Sequence, residues 1–102
     1  MTRKYKRSII YTKLFKTYEE ELTYERFVKE LYSRNYECEF RYKNLYIDVA
    51  YHLCNKNIVY ELNISDASST ILLLEFNSIE ELLNTRAVEG KTIKELWEFL
   101  EN

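Results

Sequence analysis

The chain has 102 residues, of which 46% are hydrophobic and 31% are charged, and its net charge is −2. This length and balance fit one small globular domain and exclude a disordered chain. No apolar run reaches the roughly 20 residues that cross a bilayer, and no signal-peptide pattern is present, so we expect a cytoplasmic protein without a membrane partner.

The N-terminal segment, residues 1–16, is predicted to be a basic arm. Residues 2–16 contain six basic side chains and no acidic one, which leaves about −8 on the rest of the chain. The arm is either solvated or in contact with phosphate or an acidic partner. The residues proposed for nucleic-acid binding under the second alternative are Arg3, Lys4, Lys6 and Arg7.

Residues 17–102 are predicted to form a single α+β domain that begins with a helix. Thr17 and Glu20 have the spacing of a capping box, in which each side chain accepts a hydrogen bond from a backbone N–H of the other residue. An apolar stripe follows at Leu22, Phe27, Val28, Leu31 and Tyr32. We expect the helix to end near Arg34 and Asn35, and Thr23 is an alternative start for a shorter helix.

Beyond residue 36 the apolar period becomes two, which is typical of strands. The predicted strands are ECEFRY, LYIDVAYHL, IVYELNI and TILLLEF. Lys43 and Asn44 form a two-residue turn between the first two strands, so the sequence predicts a four-stranded antiparallel meander. The last strand is apolar on both sides, which favours a central or covered position.

Two short C-terminal helices are expected to pack on one face of this sheet. Ser78 with Glu81 and Thr92 with Glu95 have capping-box spacing, and apolar residues follow each pair. Gly90 precedes the second cap, where a positive φ would allow the chain to reverse.

The sequence contains no spacing typical of nucleophilic catalysis or of a phosphate-binding loop, and we expect a protein that is not an enzyme and has no cofactor. Carboxylates such as Asp48 with Glu61 or Glu75 are interpreted as solvating groups on a strand face.

Cys38, His52 and Cys54 invite a zinc hypothesis. Counting across the turn places Cys38 opposite Val49 and facing inward, whereas His52 faces outward. The sequence therefore predicts neither an intramolecular metal site nor a disulfide. A site between chains that uses His52 and Cys54 stays open.

The outer face of the sheet is the predicted partner-binding surface, because apolar residues interrupt its charged ones. The candidate contacts are Tyr46, Asp48, Val59, Glu61, Leu73 and Glu75. The competing interpretation is that the N-terminal arm folds over this face with its apolar residues Ile9, Ile10, Leu14 and Phe15.

The tail resembles a class of small uncharacterised proteins of low-GC Gram-positive bacteria, their phages and plasmids. The likeness lies in FNSIEELLN at residues 76–84, VEGKTIKELW at residues 88–97 and an EFRY segment at residues 39–42. It covers roughly residues 36–100 and leaves the basic arm outside. The resemblance implies a mobile-element accessory protein, a class rich in inhibitors of host defence such as anti-CRISPR proteins.

The resulting hypothesis is a non-enzymatic inhibitor that occupies the surface of a nucleic-acid-handling defence enzyme, such as the RNA-guided nuclease of a type II CRISPR system. An acidic body can compete for a basic channel that normally receives nucleic acid. The alternatives are a nucleic-acid-binding accessory protein that uses the basic arm, and a homodimeric antitoxin-like regulatory subunit.

Overall fold

The computed structural model describes residues 5–34 and 37–102 and has the expected α+β class. Its elements in chain order are β1 (Ser8–Lys13), β2 (Lys16–Glu21), α1 (Tyr24–Tyr32), β3 (Cys38–Tyr42), β4 (Leu45–Cys54), β5 (Asn57–Ser65), β6 (Thr70–Phe76), α2 (Ile79–Leu83), α3 (Ile93–Leu96) and a closing 3₁₀ turn (Trp97–Phe99).

The main sheet has the strand order β3-β4-β5-β6 with antiparallel neighbours, so the predicted meander is confirmed. Tyr42 pairs with Leu45 across the Lys43–Asn44 turn, and Cys38 lies opposite Val49 as counted from the sequence. Apolar residues at every second position specify this register, because a slip of one residue would turn the apolar set of a strand to the other face.

The predicted N-terminal helix is wrong over its first turns. Thr17 lies in β2 opposite Thr12 of β1, and the two strands form a separate antiparallel hairpin. Helix α1 begins only after Thr23, whose hydroxyl accepts a hydrogen bond from the Arg26 backbone N–H at 3.1 Å. The alternative start at Thr23 is therefore the correct one. Thr17 and Glu20 have the capping spacing, but the SIIYTK and KTYEEE segments pair as strands.

The core lies between the inner face of the main sheet, α1 and the C-terminal tail. Trp97 is its centre, with its ring 5.4 Å from Phe27, 5.3 Å from Phe40 and 5.4 Å from Tyr24, measured between centroids. Tilted and edge-to-face rings at these distances attract each other beyond their buried area. The inner face is thus covered by α1 as well as by the tail.

The capping signals of the tail are confirmed. Ser78 accepts a hydrogen bond from the Glu81 N–H at 3.2 Å, and Thr92 forms a full capping box with Glu95. Gly90 has a φ of +70°, as expected for the turn before α3.

Strand β6 is an edge strand, so the prediction of a central or covered position is wrong. Leu72, Leu74 and Phe76 face inward and are half-buried, whereas Leu73 is 52% exposed on the outer face. Ile71, at a register shift beside Ser65, is 56% exposed. Apolar residues on both sides of a strand therefore do not require that both sides be covered.

Residues 5–16 of the N-terminal segment do not cover the outer face with the apolar side chains expected to do so. Ile9 is buried in the core, whereas Ile10, Leu14 and Phe15 are exposed. The predicted boundary after residue 16 falls at the first residue of β2, so the hairpin extends across it.

Candidate partner-binding face

The outer face of the main sheet brings the six predicted contact residues together on one surface. In one row Asp48 lies opposite Asn63, which lies opposite Leu73. In the next row Glu61 of β5 lies opposite Glu75 of β6, and the remaining two predicted residues are Tyr46 and Val59 on the same face. Period-two side-chain alternation in a regular antiparallel sheet produces this grouping.

A carboxylate pair occupies the β3–β4 side of the face, because Glu39 lies directly opposite Asp48. The pKa of Glu39 is raised, first by a hydrogen bond to the Asp48 side chain and then by partial desolvation and repulsion from Asp48. The nearby Arg41 acts in the opposite direction. Like charges directly opposed across strands destabilise a sheet, so this pair would gain from an external cation.

A second carboxylate pair, Glu61 and Glu75, is bridged by His52. The His52 Nδ1 atom lies 2.9 Å from a carboxylate oxygen of Glu61, and Nε2 lies 3.7 Å from one of Glu75. The imidazole therefore contacts both carboxylates of this pair, whereas the Glu39–Asp48 pair has Arg41 of β3 as a nearby cation. The face as a whole is acidic.

Apolar and hydrogen-bond-accepting groups lie between the carboxylates. Leu73 is half-exposed, and Val59 and Ala50 are partly covered by their neighbours. The Oδ1 atom of Asn63 is buried and accepts no hydrogen bond from a described residue. A surface with acids, an acceptor and exposed leucine is complementary to a partner that supplies cations, donors and apolar area.

Two surface depressions differ in the groups that line them. A depression of 560 Å³ is lined by Lys56, Asn57, Ile58, Tyr60 and Asn77, which include no carboxylate, imidazole or thiol. A second depression of 290 Å³ is lined by the Glu39–Asp48 pair together with Glu37 and Cys38, so its lining includes carboxylates and a thiol.

Cys38 is buried on the inner face, whereas His52 points outward and Cys54 is exposed at the end of β4. In residues 5–34 and 37–102, no three His, Cys, Asp or Glu side chains are grouped so as to hold a metal ion. Over the same residues, no helix is long and apolar enough to cross a membrane.

The two described candidate nucleic-acid residues, Arg7 and Lys6, differ in exposure. Arg7 is 4% exposed, donates a hydrogen bond to the Leu100 carbonyl at 3.1 Å and lies 5.0 Å from the Trp97 ring centroid. It is therefore a core residue and not available to phosphate. Lys6 is exposed, and Arg3 and Lys4 lie outside the described residues.

Sequence reasoning missed two features of the surface. The contacts of His52 with Glu61 and Glu75 depend on the register of three strands. His52 pairs with Val59, and its side chain reaches diagonally to the neighbouring Glu61–Glu75 row. The exposed Leu14–Phe15 turn was missed because it contains no Gly, Asn or Asp.

No protein-family model matches the chain, and no curated protein or solved structure shows significant similarity to it.

Proposed function

We propose that the protein is a small non-enzymatic inhibitor that covers a basic surface of a nucleic-acid-handling enzyme with the outer face of its sheet. One observation carries the proposal. The outer face combines two opposed carboxylate pairs with exposed leucine, and no other described element of the chain packs over Leu73 and Glu75.

Electrostatics supports a basic partner. Glu39 and Asp48 face each other at the cost of a raised pKa for Glu39, and a Lys or Arg of a partner would remove that cost. Surfaces that bind nucleic acid carry such cations in rows, because they neutralise successive phosphates. An acidic sheet face can occupy the same surface and exclude the phosphate backbone.

We infer the class of the target enzyme from the proposed resemblance of the tail to accessory proteins of mobile elements. We propose the RNA-guided nuclease of a type II CRISPR system as the target, because such an enzyme holds nucleic acid in a positively charged channel. Tyr46 and Leu73 would supply apolar contact area, and Asp48, Glu61 and Glu75 would meet basic side chains.

A cleavage assay with a purified type II nuclease and its guide RNA tests the proposal. We expect wild-type protein to inhibit DNA cleavage, and Asp48→Lys combined with Glu61→Lys to weaken inhibition at least tenfold, mainly through slower association. The inhibition by wild type should also fall as salt rises, because exposed charges are screened.

Glu19→Lys combined with Glu21→Lys is the matched control. It makes the same change in net charge on exposed residues of the hairpin, away from the outer face. Equal loss of inhibition in both double variants would show that net charge alone acts, and would contradict a contact through the face.

The nucleic-acid alternative predicts a different pattern. Binding of the protein to DNA or RNA that is lost in Lys6→Ala and retained in the outer-face double variant would favour the basic segment over the sheet. No inhibition by wild-type protein at saturating concentration would reject this nuclease class as the target.

A further inference from the structure

The tip of the β1–β2 hairpin has an unusual composition. Leu14 and Phe15 connect the strands with φ values of 53° and 66°, in the left-handed region that side chains other than Asn and Asp rarely adopt. Leu14 is 81% exposed, and Phe15 is fully exposed. Neither side chain therefore gains burial in return for its backbone conformation.

A second turn of the same chain provides an internal comparison. Asn55 and Lys56 join β4 to β5 as another two-residue turn with both φ values positive, 51° and 68°. That turn uses polar residues, one of which tolerates the left-handed region. The fold therefore does not need Leu and Phe to build such a turn. Their presence at the tip indicates a contact outside the monomer.

The charges beside the tip indicate what that contact must contain. Lys13 and Lys16 are directly opposed on β1 and β2, and both are exposed. Neither forms an ion pair with another residue of the described ranges 5–34 and 37–102. The tip is thus an apolar pair flanked by two cations, and its complement is an apolar surface flanked by carboxylates.

The outer face of this protein carries carboxylates beside exposed leucine, with His52 in contact with two of these carboxylates, Glu61 and Glu75. Glu61 and Glu75 are directly opposed, as are Lys13 and Lys16, so each pair has the cross-strand separation of about 4.5–5.5 Å between Cβ atoms. Leu73 precedes Glu75 by two residues on the same strand and provides exposed apolar area beside it.

We propose that the hairpin tip of one copy binds the outer face of a second copy. Lys13 and Lys16 meet Glu61 and Glu75, and the two tip side chains pack against Leu73. When two copies exchange tips reciprocally, the contact closes as a symmetric pair. The proposal rests on the surfaces of this chain and not on the proposed nuclease target. Because both contacts use one face, self-association and partner binding exclude each other.

Sedimentation equilibrium of the full chain from micromolar to several hundred micromolar tests the contact. We expect wild type to associate, and Leu14→Asn combined with Phe15→Gly to associate at least tenfold more weakly. The same double variant should melt at a higher temperature, because Asn and Gly accept the left-handed turn. Lys56→Gly is the control, since it should also raise the melting temperature but leave association unchanged.

A charge exchange gives a sharper test. Lys13→Glu with Lys16→Glu should be monomeric, as should Glu61→Lys with Glu75→Lys, because each variant opposes like charges. An equimolar mixture of the two variants should associate again, since both reciprocal contacts become complementary. Circular dichroism of each variant confirms that it is folded.

Three results would overturn the proposal: a wild type that stays monomeric, tip variants that associate like wild type, or a mixture that stays monomeric. Tip-dependent binding of the monomer to vesicles of phosphatidylcholine and phosphatidylglycerol would assign the tip to an anionic membrane instead. Failure here is distinguishable from failure of the proposed function, because the tip variants should still inhibit the nuclease and the face variants should not.

Discussion

At the scale of single residues, several polar side chains carry interactions that depend on register. Arg7 is basic in sequence, yet it packs against the Trp97 ring and donates to the Leu100 carbonyl. Glu39 is a surface acid, yet its position opposite Asp48 raises its pKa. The residue type therefore defines which interactions a side chain can form. Strand pairing decides whether these interactions stabilise or destabilise the fold.

Glu39 provides a prediction about pH. The pKa of Glu39 is higher in the folded state than in the unfolded chain, so ionisation of Glu39 carries a penalty in folding stability. This penalty is absent at a pH where Glu39 is protonated in both states. The penalty grows as the pH rises through the raised pKa and is complete above it. Glu39→Gln should therefore stabilise the protein at pH 7 by about 0.2–1 kcal/mol, toward the lower end because the group is exposed.

Urea unfolding at pH 7 and near pH 3 measures this effect. The gain from Glu39→Gln should shrink at the lower pH, where Glu39 is protonated in wild type as well. Glu19→Gln, on the exposed hairpin, is the reference substitution. A gain of equal size at both pH values would mean that the opposed carboxylates do not account for it.

At the scale of elements, the sequence predicted those parts in which local signals agree with tertiary packing. The alternation in β3, β4 and β5 and the polar turns between them were enough to place Cys38 opposite Val49. The same alternation grouped the six outer-face candidates. Local pattern and buried face are consistent there, so the register has one solution.

The N-terminal hairpin could not be predicted in this way. Thr17 and Glu20 match a capping box by spacing alone, and the turn at Leu14–Phe15 has none of the residues that usually mark one. Pairing of β1 with β2 and attachment of Ile9 to the core decide the structure of this segment. These are contacts that a local pattern does not encode.

The tail depends on Trp97 for its attachment to the sheet and to α1. Trp97→Ala should destabilise the fold by about 3–5 kcal/mol, the range for truncating a buried aromatic side chain. Its ring contacts both Phe27 of α1 and Phe40 of β3, so the loss affects three elements at once. Urea unfolding measures the change.

Phe99→Ala is the matched control, because this aromatic residue lies two positions away and is exposed. It should change the free energy of unfolding by less than about 0.5 kcal/mol, as surface substitutions usually do. Similar losses in both variants would show that the tail does not pack through Trp97.

At the scale of the whole molecule, the fold consists of a well-packed body and a weakly supported hairpin. Strands β4 and β5 are paired on both sides within the main sheet. Among the residues that the structure describes, strands β1 and β2 pair only with each other, and a two-stranded hairpin is marginally stable on its own. The two proposed contact surfaces therefore differ in support. The outer face belongs to the four-stranded sheet, whereas the hairpin is joined to the body at its base and by Arg26 of α1, which pairs with Glu20 and lies over the Tyr11 ring.

The base of the hairpin is fastened by Asn102. Its side-chain Oδ1 accepts from the Ser8 N–H at 2.9 Å, and its Nδ2 donates to the Ser8 carbonyl at 3.0 Å. The Leu22 N–H also donates to the Arg7 carbonyl at 2.9 Å. We expect native-state hydrogen exchange to show low protection near the tip, higher protection at Ser8 and Leu22, and the highest in β4 and β5.

Asn102→Ala removes both bonds to Ser8 and should speed exchange of the β1 and β2 amides about tenfold, since each bond is worth about 0.5–1.5 kcal/mol. Exchange in β4 and β5 should change little, because the hairpin opens locally while the main sheet stays paired. Asn102→Asp keeps an acceptor for the Ser8 N–H and loses the donor, so its effect should be intermediate. If Asn102→Ala accelerates amide exchange equally in the hairpin and in the main sheet, the two form one cooperative unit. The hairpin is then not a separately opening element.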